Sequence, residues 1–504
     1  MTIPPDPGSK AGDGNATIYH SLLKGTGWVF LMRWGTRGIG LVSTLILARL
    51  LTPEDFGIVA MGTLLVGFLN GFLELGAESL LIREREATRA HCDTAWTIRL
   101  IQGAVLALLL VGLAVPVSDF FGEPRLVDVI YLIALSAFIE GFDNIGMVLV
   151  RKELDFAKDF RFGIYNRIAV FLFTVLFAFA LRSYWALVIG QLAGTVFTVI
   201  NSYFMHSYRP RLSRAKLREY LHFSISIIPL TVSTYLTNKL DVVVVGRIGG
   251  TAMLGAYNVA SELSSLATRE IVTPLARALY PNFARIADDP VKLVEVFRHV
   301  LSTVAMVCTP IGFGLWVVAD DFVLTLLGPH WRSVVPLLQW LSIYGVLLSL
   351  IQVMNGHILI VTGNELLAAV LGWVRLAILA PIVIYATIRW GPEGAAAGMV
   401  VSAGLALPIT GLYLLNRIQM SLGQLFGSLW RPVTAALVMA FVVDASLDAG
   451  AGHALRLGFG VVLGVTTYVV ALLGLWALSG RPAGMEGVVV RMVAMKLRPR
   501  AYEK

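Results

Sequence analysis

Short polar clusters punctuate this chain, and between them lie apolar runs of roughly twenty residues that recur from about residue 27 to residue 478. Each run is long enough to cross a ~30 Å hydrocarbon core as a helix rising about 1.5 Å per residue. The breaks place helices near 27–48, 54–80, 94–117, 125–150, 161–181, 185–206, 220–245, 252–277, 297–319, 333–361, 366–388, 394–416, 431–447 and 455–478. A membrane barrel would need short alternating segments, and the sequence has none. The expected class is therefore all-α and polytopic, with about 14 transmembrane helices.

Composition agrees: 57% of the 504 residues are hydrophobic and 14% are charged. The net charge of +8 would suggest a nucleic-acid partner if the basic residues formed a patch. Instead they fall in alternate loops and the tails, among them Arg83, Arg85 and Arg89, then Arg151, Lys152 and Lys158, then Arg209, Arg211 and Arg214, then Arg491, Lys496 and Arg498. The intervening loops hold roughly one each, such as Arg49, Arg182 and Arg247. The positive-inside rule then puts both termini in the cytoplasm, and the charge is a topology signal with some attraction to membrane lipids. No nucleic acid is expected as a partner. The polar start, MTIPPDPGSKAGDGNAT, lacks the apolar core of a signal peptide. Cys92 and Cys308 are the only cysteines, so no disulfide framework is expected.

The two halves of the pattern repeat. Arg49-LLTPEDF-Gly57 aligns with Arg247-IGGTAML-Gly255 at an offset of 198, and DFFGEPR with TLLGPHW, Gly122 to Gly328, at an offset of 206. Two matches in the same order divide the chain into a cytoplasmic tail (1–25), a first six-helix lobe (26–206), a basic linker (207–219), a second six-helix lobe (220–416), a final helix pair (417–478) and a basic tail (479–504). Six being even, both lobes start from the same side and are related by an axis along the membrane normal. A cavity between such lobes, opened alternately by rocking, favours a transporter.

Two kinds of residue could carry chemistry. Glu54 and Asp55 lie between the first two spans, where a membrane glycosyltransferase would put an acidic metal-binding pair. Thr52-Pro53-Glu54-Asp55 also reads as a helix start, with a hydroxyl N-cap, proline at the first position and acids facing the helix dipole. The repeat carries Ala252 and Met253 at the equivalent positions, which favours the helix start. The second kind comprises charges inside spans, each costing ~2.5–3.5 kcal/mol at a helix centre on insertion scales unless it faces water or a partner. Arg33, Arg37, Arg269 and Arg375 are read as lining a cationic cavity, which suits a diphosphate because guanidinium matches phosphate oxygens with a fork of donors. Glu74, Glu78, Asp143 and Asp241 are candidate ion-coupling or cavity acids, although Lys239 and Asp241 could simply neutralise each other. Arg99, Arg167 and Arg277 reach a cytoplasmic end and are expected to snorkel. Trp34, Tyr257, Trp373 and Tyr385 could stack on sugars or merely form an interface belt or pack between helices. No Walker A sequence occurs, His91-Cys92-Asp93 reads as an ordinary cytoplasmic loop, and no metal, cofactor or catalytic set is expected.

ARLLTPEDFGIVAMG (48–62), LDVVVVGRIGGTAMLGAYNVA (240–260), ALYPNFARIADDP (278–290) and LLGPHWRSVVPLLQ (326–339) together resemble the polysaccharide-transporter branch of the MATE-like flippases, close in pattern to the colanic-acid type. The resemblance runs from about Gly25 to Arg417. It implies a V-shaped pair of lobes in the bacterial inner membrane, moving an oligosaccharide linked to undecaprenyl-type diphosphate to the periplasmic leaflet for polymerase or export machinery. In the related peptidoglycan-precursor flippases the last helix pair forms a groove for the lipid tail, and residues 431–478 could do so here. No binding residue is carried over from the family. Two other readings stay open: a cation or drug antiporter of the same fold working through the acids, and a membrane glycosyltransferase or ligase working through Glu54 and Asp55.

Overall fold

The computed structural model describes residues 34–73, 77–84, 87–220, 228–285, 289–355, 365–447, 450, 452–481 and 486–487. Regular structure among them is entirely helical. The helices of the first half are α1 (34–50), α2 (Pro53–Leu73), α3 (Ala77–Arg83), α4 (Arg89–Phe121), α5 (Leu126–Glu140), α6 (Gly146–Lys152), α7 (Phe156–Leu181) and α8 (Trp185–Met205). The second half holds α9 (Ile228–Arg285), α10 (Pro290–Val317), α11 (Ala319–Leu326), α12 (Val334–Asn355), α13 (Glu365–Ile418), α14 (Leu422–Ser446) and α15 (His453–Leu478).

Among the described residues ten helices are long and apolar enough to span a membrane. Two of them are hairpins: α9 breaks at Gly250 (φ 73°, ψ −175°) and α13 at Gly391 (φ 66°, ψ −152°). Such dihedrals are closed to most side chains, so glycine lets the chain reverse within one residue. The arms then run back along each other, with Asp241 meeting Tyr257 across the first hairpin and Gly398 meeting Val383 and Ala386 across the second. With each hairpin counted as two spans, and α1 and the fifteen-residue α5 added, the described residues contain fourteen spans, the expected number. Their outward faces are apolar, as contact with lipid requires: Leu108, Leu172 and Val470 are 72%, 57% and 71% exposed.

Contacts group the chain into two compact units, Met1–Val232 and Ser233–Lys504. The internal repeat is visible in their turns. Gly122 (φ 71°) closes the third span of the first unit, and Gly328 (φ 103°) follows the short α11 that continues from the third span of the second. Arg182 (φ 47°) reverses the chain between α7 and α8, as Gly391 does in α13. In the first unit the α1–α2 turn is tied to the α7–α8 turn by Asp55 Oδ1 accepting from Tyr184 N at 2.7 Å. In the second, the space at Gly249 is bounded by Met253, the counterpart of Asp55, and by Pro392. The same adjacency is kept by apolar contact.

Packing between spans relies on small residues. A Cβ at Gly190 would sit 2.5 Å from Thr174 Cα, and one at Gly194 would collide with Val170, so α8 lies directly on the α7 backbone. The second unit has an apolar core of Phe297, Leu301, Val304, Cys308, Leu350 and Leu415. A further cluster of Val318, Ala435, Met439, Val443, Tyr468 and Leu472 fixes the last two helices to α10.

Three expectations change. The span expected at 94–117 is Arg89–Phe121, because Thr88 and His91 form a capping box that starts the helix earlier. His91-Cys92-Asp93 is therefore buried helix and not loop. Asp93 Oδ1 accepts from Tyr208 Oη at 2.7 Å and Arg211 N at 2.9 Å, strapping the basic linker to the first unit. The span expected at 125–150 stops at Glu140, since Asn144, 1% exposed, spends its amide on Gly146 N, Tyr208 O and His206 O and forms a polar turn. Both cysteines are buried and free.

Candidate functional site

The Thr52–Asp55 stretch is a helix start. Asp55 Oδ2 accepts from Thr52 N at 2.9 Å and Thr52 Oγ1 at 2.7 Å, and Asp55 N donates back to Thr52 Oγ1 at 3.4 Å. Glu54 accepts from Arg125 Nη2, whose guanidinium also grips Glu123 through Nε at 2.7 Å and Nη2 at 2.8 Å. Hydrogen bonds from Arg125 hold the Glu123 carboxyl below its ordinary pKa. The acids thus knit the α1–α2, α4–α5 and α7–α8 turns together.

Two of the nominated acids of the first unit belong to an ion-pair network. Glu78 receives Arg99 Nη1 at 2.8 Å and Arg151 Nη1 at 3.0 Å, Arg99 Nη2 lies 3.7 Å from Asp143 Oδ2, and Arg151 Nε donates to Asp159 at 3.1 Å. Arg99 is therefore a counter-ion within the unit, not a side chain stretched toward the interface. Glu78 and Asp143 are brought together by it, with their charge compensated locally. Arg37 is half-buried on α1, three positions before Gly40, where a side chain would collide with the Arg167 guanidinium of α7. Arg33 and Glu74 lie outside the described residues, and of Arg269 only its helical backbone is described.

The second unit gathers its nominated residues more closely. Asp241, on the first arm of α9, is fully enclosed; Oδ2 accepts from Tyr257 Oη at 2.8 Å, while Oδ1 has no hydrogen-bond partner among the described residues. Tyr257 is itself 0% exposed, so it orients this carboxylate and cannot stack on a sugar. Beside Asp241 lies a cavity of about 50 Å³ lined by Asn238, Ser261, Ser264, Ser265 and Tyr344, room for a water or a small cation. Tyr344 Oη, on α12, also accepts from Arg375 Nη2 at 3.0 Å. Arg375 and Asp241 are thereby linked through one tyrosine. Among the described residues Arg375 has no carboxylate partner, although it is half-buried in mid-span. Sequence reasoning missed Tyr344 and the serines; the polar set Ser261, Glu262, Ser264 and Ser265 within an apolar span was a readable sign that α9 lines something polar.

An apolar cleft of about 520 Å³ runs between α10, α14 and α15, bordered by Pro310, Gly314, Met439, Gly460, Gly464 and Tyr468. Glycines 460 and 464, one turn apart, keep its wall low. Trp34, Trp373 and Tyr385 are 48%, 47% and 65% exposed, as an interface belt would be.

The family described as polysaccharide biosynthesis protein matches residues 46–336, more than half of the chain. The chain is 27% identical over 341 residues to the lipopolysaccharide biosynthesis protein WzxC of Escherichia coli K12, covering 66% of this chain and 68% of that one. It is 24% identical over 469 residues to the succinoglycan biosynthesis transport protein ExoT of Rhizobium meliloti, covering 90% and 93%. Its fold resembles that of the lipid II flippase MurJ in an inward closed conformation, with a TM-score of 0.73 at 12% identity over 89% of this chain and 99% of that one. Fourteen spans among the described residues and a family match over more than half of the chain make this chain a multi-pass membrane member of the polysaccharide biosynthesis protein family.

Proposed function

We propose that the protein is a flippase that moves an oligosaccharide linked to a polyprenyl diphosphate across the bacterial cytoplasmic membrane by alternating access, without catalysing a reaction. The observation that carries this reading is Arg375: a half-buried guanidinium in mid-span whose one hydrogen bond among the described residues goes to a neutral phenol. A buried cation of this kind favours an anionic ligand, and a diphosphate offers oxygens spaced for forked donation. Arg33, Arg37 and Arg269, the other arginines nominated from sequence, would be further cationic donors to the substrate. The apolar cleft between α10, α14 and α15 would hold the prenyl chain, since its walls offer hydrocarbon to hydrocarbon. Both termini would face the cytoplasm, and the substrate would be delivered to polymerase or export machinery outside.

Asp241 favours ion coupling within the same cycle. It is an enclosed carboxylate with one oxygen that has no hydrogen-bond partner among the described residues, beside a water-sized cavity partly lined by serines, and a proton or small cation there would neutralise it. The hydrogen bonds of Glu54 and Asp55 within and between turns support a structural role for this pair over a catalytic one.

The test is translocation in sealed proteoliposomes of a fluorescent polyprenyl-diphosphate oligosaccharide, followed by its loss of accessibility to an external glycosidase. Movement that disappears when the head is uncharged supports the flippase and its arginines. Expulsion of a cationic dye with no lipid movement would make the protein an antiporter.

A further inference from the structure

Apart from the residues of the proposed transport path, the second unit carries a second basic pocket. At the end where α10 begins, α13 finishes and α14 begins, a cavity of about 420 Å³ is lined by Arg298, His299, Ser302, Gln424, Ser428 and Arg431. This is the end to which the positive-inside rule assigns the cytoplasm. His299 Nδ1 is held by the Glu295 carbonyl at 2.8 Å, and the Ser428 hydroxyl by the Gln424 carbonyl at 3.0 Å. Among the described residues Glu295 is the one carboxylate in the lining, and it is exposed.

The two arginines are under-satisfied. Arg298 Nε is buried with no hydrogen-bond partner among the described residues. Arg431, with a side chain 8% exposed, has Nη1 2.9 Å from Oε1 of Glu486, itself 1% exposed in the C-terminal segment. That contact lacks hydrogen-bond alignment: Arg431 Nη1 and both Glu486 oxygens find no such partner among the described residues. A buried ion pair recovers its desolvation cost only when its hydrogen bonds are well made, so this pair is a poor resting state for both charges. A phosphate group has more acceptor oxygens than a carboxylate and can satisfy two guanidinium groups together.

We propose that this pocket is a binding site for a phosphate-bearing group, the headgroup of an inner-leaflet anionic lipid, and that Glu486 is a built-in competitor which the headgroup displaces from Arg431. The segment after Glu486 carries Arg491, Lys496, Arg498, Arg500 and Lys504 against one acid, Glu503, and is itself drawn to an anionic surface. Headgroup binding and release of Glu486 would thus reinforce each other, coupling the C-terminal tail to lipid composition.

The experiment is native mass spectrometry of the purified full-length protein in detergent, titrated separately with phosphatidylglycerol, phosphatidylcholine and inorganic phosphate. Wild type is compared with Arg298→Ala and Glu486→Gln, the thermal midpoint of each confirming its fold. The expected result is phosphatidylglycerol binding weakened on the order of tenfold in Arg298→Ala, as loss of charge-assisted hydrogen bonds implies, and strengthened severalfold in Glu486→Gln, with phosphatidylcholine binding weakly throughout. Inorganic phosphate following the same order of variants would keep the site and identify a soluble anion as its occupant. Binding of phosphatidylglycerol that is equal in all three proteins would overturn the proposal. So would weaker binding in Glu486→Gln, which would make Glu486 part of the site and not its competitor.

Discussion

Asp55 and Glu54 stand side by side but do different work, and single substitutions separate them. Asp55 closes the start of α2 and also receives Tyr184 N from another turn, so Asp55→Ala removes a cap and leaves a peptide donor unmatched. The expected loss is ~1–2 kcal/mol, read as a lower thermal midpoint in detergent. Glu54 is half-exposed and shares Arg125 with Glu123, so Glu54→Ala should cost no more than ~1 kcal/mol. Neither substitution should abolish transport, the reverse of what a catalytic pair requires. Glu123 supplies a pH test. Its carboxyl is depressed by Arg125, so its contribution is full above its ordinary value and is lost as pH falls through the depressed one. Thermal midpoints of wild type and Glu123→Gln, apart at neutral pH, should converge as pH falls below about 4.

At the scale of elements, the helices are placed by hydropathy but held by close backbone contacts. Gly190 faces Thr174 Cα, which cannot swing aside as a side-chain tip would, so Gly190→Ala should destabilise by ~1–3 kcal/mol through overpacking. Gly112→Ala on α4, with nothing within 4 Å of the added methyl, should be neutral or slightly stabilising. Unfolding of the two variants in the same detergent checks the contrast. The same distinction explains what could be read from sequence. Spans, the repeat and the Thr-Pro-Glu-Asp start depend on local composition and spacing, and each was legible. Partnerships depend on which helix faces which: Arg99 meets Glu78 and Asp143, Arg375 meets Tyr344, and Arg431 meets Glu486 across 55 positions of sequence. Nothing in the sequence marks those pairs. Arg99 is therefore expected from sequence to snorkel when it is a counter-ion, and of the readings open for Tyr257, sugar stacking or packing, the structure shows packing, with its hydroxyl donating to Asp241.

For the whole molecule, Arg375 and Asp241 are the pair whose substitution should separate substrate binding from its energy source. They share Tyr344, which accepts from Arg375 and lines the cavity beside Asp241, so a change of charge at either is felt by the same phenol. Arg375→Ala removes a donor to the diphosphate and should raise KM for the lipid-linked oligosaccharide on the order of tenfold or more, as loss of charge-assisted hydrogen bonds implies. Asp241→Asn keeps an oxygen for Tyr257 and the shape of the site while removing the titratable charge. Transport by that variant should continue in the downhill direction but lose its dependence on an imposed proton or sodium gradient. Proteoliposomes loaded with defined pH and sodium differences would read both effects: a KM change confined to Arg375→Ala with gradient dependence lost only in Asp241→Asn is the expected pattern. Gradient dependence retained by Asp241→Asn would remove this carboxylate from coupling. The enclosed acid would then be a fixed counter-charge whose place is to hold the two arms of α9 together through Tyr257.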